Sequence, residues 1–142
     1  MINRRVHGVM LLAASAAAAA FIPVTAAPAG AATTFKVPEV SFAGTAAGTV
    51  TATLRNPNDR GRCWAEAGIG PDNNHRFFGD GSPDSLANPG QTIKISMTGL
   101  EPGTTITARG GCANDAPGEY LLGDTVTVTV PKDKPATGSF GF

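Results

Sequence analysis

"TGLEPGTTITARGGC", residues 98–112, decides how the rest of this chain is read. It holds a turn followed by a strand that ends in a cysteine. Leu100 is an apolar plug for a core, Pro102 presets φ at the turn, and Gly103 accepts a positive φ. Beyond the turn, Ile106 and Ala108 share a face with Gly110 and Cys112, while Thr107 and Arg109 share the other. Successive side chains of a strand point to opposite sides, so one face is built for a core and one for solvent. The stretch reads as scaffold rather than as a reactive loop.

The same period of two recurs on both sides. "TVTATLR" (49–55) sets Val50, Ala52 and Leu54 against threonines, "QTIKISMTGL" (91–100) sets Ile93, Ile95 and Met97 against Thr92, Lys94 and Ser96, and "DTVTVTV" (124–130) sets Val126, Val128 and Val130 against threonines. "CWAEAGI" (63–69) is a further strand. "TFKVPEVSF" (34–42) is β-rich but carries Pro38, which cannot donate to a ladder and suits an edge. "NPNDRG" (56–61), "EPGT" (101–104) and "NDAPGE" (114–119) are turns. Residues 70–90 form a long polar segment with a short strand at 76–78. Seven short strands with turn signals between them, and no helical period, predict an all-β, seven-stranded antiparallel sandwich over 32–131.

The first residues belong to a different kind of object. Arg4 and Arg5 precede an apolar, alanine-rich run, and small residues close it at Ala29-Gly30-Ala31. That order describes a secretory signal peptide over 1–31, cut after Ala31 or next after Ala32. Pro23 and Pro28 interrupt the run, so no membrane span is expected once the leader is removed. The chain left behind has 111 residues, enough for one domain, with 9 basic against 11 acidic side chains. No cluster of cations is present to bind nucleic acid phosphates. The alanine-rich leader and the bias toward small residues point to a bacterium with GC-rich DNA, such as an actinobacterium. Cys63 and Cys112 are the two cysteines, and an even count in an exported chain predicts a disulfide. Residues 132–142 read as a tail, whose Phe140 and Phe142 are apolar for a spacer.

"ISMTGLEPGTTITARGGCANDAPGEYLLGDTVTVTV" (95–130) resembles the second half of a fibronectin type III domain. Leu100, Pro102, Gly103 and Thr104 match that family's buried leucine and following turn. The family places a tyrosine two residues beyond the threonine, where this chain has Ile106, and a looser immunoglobulin-like domain fits equally. Either resemblance implies that the strands of Cys63 and Cys112 are the third and sixth, antiparallel neighbours whose cysteines lie at the same end and within bridging reach. Trp64 and Glu66 then face outward beside Thr107 and Arg109. Trp64 there is a shielded surface residue or, stacked with Arg109, a contact residue; a bulge would instead turn it into the core, where such sandwiches often keep a tryptophan.

No catalytic set assembles. His75 is the only histidine after the leader, and Ser82, Ser85 and Asp72 share a loop with it but no scaffold that would preorganise a triad. One histidine and two bridged thiols are too few for zinc. Asp72, Asn73, Asn74, Asp80 and Asp84 are oxygen donors, but their spacing fits no calcium loop, Arg76 opposes a cation, and they are ordinary turn residues. No metal, cofactor or catalytic residue is expected. Phe77 and Phe78 are adjacent, so an extended chain buries one and exposes the other. The expectation is a secreted, non-catalytic protein, extracellular or associated with the cell envelope, acting by surface contact on a protein or an envelope component. Trp64, Arg109, Phe77 and Phe78 form its contact patch. The alternative is a small-ligand carrier or a secreted enzyme inhibitor, with its cleft near residues 70–90.

Overall fold

The structure of the protein is a computed structural model, described over residues 33–133. The expected signal peptide (1–31) and tail (132–142) lie outside the described residues, apart from Lys132 and Asp133. Two antiparallel sheets enclose one apolar core in a sandwich-like arrangement. The smaller has the order β1-β2-β5, from Glu39–Ala46, Thr49–Arg55 and Thr92–Met97. The larger has the order β4-β3-β6, from Asn74–Phe77, Arg62–Ile69 and Thr105–Ala113. β7 (Tyr120–Leu122) and β8 (Val126–Thr129) follow one another along the free edge of β6.

Two differences from the sequence reading have physical causes. The strands number eight, not seven, because the last one is in two pieces. β7 pairs with the cysteine end of β6 and β8 with its start, and between them only the Gly123 amide still reaches the Gly110 carbonyl, at 2.8 Å. β8 is the strand read from the alternation of 124–130; β7, at three residues, is too short to carry a period of its own. The first strand begins after Pro38 rather than before it. Upstream of Pro38 the backbone is served by a side chain: Lys36 N–H donates to Asn58 Oδ1 at 2.7 Å, and Asn58 Nδ2 donates to the Lys36 carbonyl at 2.9 Å. Asn56, fully buried at the same turn, accepts from the Asn58 amide and donates to the carbonyls of Gly61 and Ala87.

The core follows the alternation. Val50, Ala52 and Leu54 of β2 with Ile95 and Met97 of β5 face Cys63, Ala65 and Ala67 of β3 with Ile106, Ala108 and Cys112 of β6. The larger sheet contributes small side chains in its middle, and the gap is filled from the rim by Phe78, whose ring centroid lies 5.3 Å from that of Phe42. Leu100 is buried, and Gly103 has φ 83° at the turn that follows it. Gly110 has the inward parity of Ala108 and Cys112, and Pro38 packs on it: a Cβ there would lie 2.5 Å from the proline ring.

Cys63 and Cys112 are joined, directly opposite one another on β3 and β6. The amide and carbonyl of Cys63 both turn away, to Ala87, so the cysteines form a non-hydrogen-bonded pair, in which Cβ atoms come closest. The bridge therefore staples neighbouring strands within one sheet and does not cross between sheets. Among the described residues no helix is long and apolar enough to cross a membrane.

Candidate functional site

The larger sheet turns an unusual outer face to solvent. Going out from the bridge, Trp64 stands opposite Gly111 and Glu66 stands opposite Arg109 on β6. On its other side Glu66 faces Phe77 of β4, with His75 two residues along. Glu66 is thus enclosed by one cross-strand neighbour on each side and by Trp64 above it on its own strand. It is only 4 % exposed, although it lies on the solvent side of the sheet.

Each oxygen of that carboxylate is occupied. Arg109 Nε donates to Oε1 at 2.7 Å, Trp64 Nε1 donates to Oε2 at 2.7 Å, and His75 Nε2 lies 3.0 Å from Oε2. Burial pushes the Glu66 carboxyl up. The hydrogen bonds from His75, Trp64 and Arg109 outweigh it and hold the group below the usual glutamate range. Glu66 is an anion that locks three side chains in place. Among the described residues no buried side-chain nitrogen or oxygen lacks a partner.

Trp64 lies on a regular stretch of strand, with no bulge to turn it inward, and is half-buried. Its six-membered ring rests over Gly111 and beside Leu122. A Cβ on Gly111 would lie 2.5 Å from a ring carbon. Tyr120, 63 % exposed, flanks it with ring centroids 5.7 Å apart and planes tilted by 41°. Phe77 is exposed, and His75 meets it edge-on with centroids 4.7 Å apart. These side chains, with Ser85 and Leu86 at the rim, line an open groove of about 540 Å³.

Trp64, Arg109 and Phe77 are thus brought together on one surface. Phe78 is not part of that surface: at 1 % exposure it belongs to the core and forms at most the floor of the groove. Its direction follows from the ladder, since its amide donates to the Ala65 carbonyl and its side chain alternates with that of Phe77. Glu66 and Tyr120 were missed as site residues. A signal for Glu66 was present, because the bridge fixes the register: the residue three beyond Cys63 must meet the residue three before Cys112, which is Arg109.

The loop residues serve the loop. Asp80 accepts from the Ser82 amide and the Ser85 hydroxyl, and these bonds hold its carboxyl down at about 2. His75 is turned to Glu66, and among the described residues no hydrogen bond joins it to a serine. No three His, Cys, Asp or Glu side chains among the described residues converge as metal ligands. No model of a known protein family matches the chain, and a search of curated proteins returns no match.

Proposed function

We propose that this is an exported, non-catalytic sandwich domain of the fibronectin type III or immunoglobulin kind, working by surface contact at the cell envelope or in the extracellular space. The contact surface is the outer face of the larger sheet, and its anchors are Trp64, Tyr120, Phe77 and Arg109. The observation that carries this reading is a buried, fully hydrogen-bonded Glu66 beneath exposed aromatics. Aromatic rings and an arginine held in one geometry lose little freedom on binding, and such residues dominate contact energies. The strand order supports the fold type: β2 lies between β1 and β5 in one sheet, and the third and sixth strands are neighbours in the other. The basic-apolar-small leader and the disulfide support export.

The test is sedimentation of purified protein with a bacterial cell-envelope preparation. Trp64→Ala with Phe77→Ala should abolish retention while a circular dichroism melt shows a folded chain. Full retention by the folded double variant refutes the patch. The second reading, a small-ligand carrier, is supported by the volume of the groove, since ligand sites run to about 300–1,000 Å³. Part of its lining comes from the 70–90 segment, where such a cleft was expected. Native mass spectrometry of protein purified from its source tests it: a retained small molecule supports the carrier, and a bare polypeptide mass counts against it.

A further inference from the structure

We propose that the groove on the outer face is a saccharide site, in which a sugar ring of a neutral polysaccharide lies against Trp64 and Tyr120 while its hydroxyls bond to the terminal nitrogens of Arg109. This deepens the surface-contact reading and rests on it.

Three observations select that chemistry. The first is the state of the aromatics. Trp64 is held at its edge by Glu66 and from below by Gly111, and the Tyr120 plane leans beside it at 41°. A sugar ring presents a flat patch of C–H groups on one side and hydroxyls around its rim. A fixed, half-exposed aromatic wall matches the first of these.

The second is the balance of charge. Glu66, Arg109 and His75 are the acidic and basic side chains that line the groove, and Glu66 is already matched by Arg109. A polyanion finds one compensated arginine and a cation finds no open carboxylate. A neutral, polyhydroxylated ligand loses nothing by this arrangement. The third is spare donor capacity. Guanidinium carries five N–H groups, and Arg109 gives only Nε to Glu66. Among the described residues, its two terminal nitrogens have no partner. They stay oriented because Nε is tied, which suits bonding to the oxygens of a ring placed on Trp64.

Trp64 is the only tryptophan in the chain, so its emission reports on the site directly. The probes are chitotetraose, cellotetraose and the protease-treated polysaccharide fraction of a bacterial envelope. At least one should change Trp64 emission saturably, and complete acid hydrolysis of the fraction, which breaks its glycosidic bonds, should remove the effect. Tyr120→Ala, which leaves the Glu66 bonds intact, should weaken that probe at least tenfold with an unchanged melting temperature. Arg109→Lys, which keeps the charge but not the planar fork, should weaken it by a similar factor. The saccharide assignment falls if none of the three probes alters emission, or if the response survives acid hydrolysis of the fraction or Tyr120→Ala. Envelope retention that depends on Trp64 and Phe77 but is not displaced by these probes leaves the contact surface standing and overturns the saccharide as its occupant. Retention independent of both residues overturns the wider reading as well.

Discussion

Replacing Glu66 with glutamine changes one charge at constant shape, and the structure says what that should do. The carboxylate accepts from Arg109 at one oxygen and from Trp64 at the other, with His75 Nε2 3.0 Å from that second oxygen. A carboxamide has one oxygen and one NH₂ group. Turned to serve Trp64 and His75, it points NH₂ at Arg109 Nε; flipped, it leaves two donors unserved. At least one hydrogen bond to a charged group is lost, each worth roughly 1.5–3 kcal/mol, and the survivors fall to about half their strength. The expected loss is about 2–4 kcal/mol, large beside a total stability of about 5–15 kcal/mol. With a urea slope of about 1–3 kcal/mol per molar, the midpoint should fall by roughly 0.7–4 M, read from Trp64 emission.

The same variant has a pH signature. The folded carboxyl lies below its unfolded value, so its contribution is complete above the unfolded glutamate pKa of about 4.3 and is lost as pH falls through the folded value. Wild type and Glu66→Gln should therefore differ most at neutral pH and converge in acid. Equal midpoints at pH 7, or a gap that persists unchanged into acid, would refute the idea that an ionised Glu66 organises this face.

Alanine at both Cys63 and Cys112 should lower stability by about 4 kcal/mol on the loop-closure account, since the bridged residues are 49 apart, and reductant should shift the wild type by the same amount; coincident denaturation curves would remove the bridge as a staple. Phe78→Ala should cost about 3–5 kcal/mol as a core deletion, whereas Phe77→Ala should cost under about 1 kcal/mol and act on binding alone; matched melting temperatures for the two would contradict their opposite burial. Gly111→Ala forces the Trp64 ring off its seat, because the new methyl would sit 2.5 Å from it; the expected loss is about 1–3 kcal/mol with a changed emission maximum, and an unaltered spectrum would show that the ring does not rest there.

The strands that read most clearly in the sequence were those with one wet and one dry face. In β2 and β5 the inward residues Val50, Ala52, Leu54, Ile95 and Met97 are all in the core. β7 was invisible because three residues, Tyr120–Leu122, carry no period, and it exists only because the edge of β6 was free to pair. The adjacent Phe77 and Phe78 show the same limit: alternation requires that they part, but which one enters the core depends on where β4 meets β3.

By itself the sequence determined the class of the fold, the faces of its main strands and the pairing of its two cysteines. Each of these rests on short-range pattern: a period of two, turn residues at fixed offsets, and an even number of thiols. Only the tertiary structure decided that Glu66, outward by its parity, is buried, and that Trp64 lies over a glycine rather than in the core or free in water. Burial on the outer side of a sheet is a property of three strands at once. Arg109, Phe77 and His75 arrive from β6 and β4, and no local pattern in β3 records them.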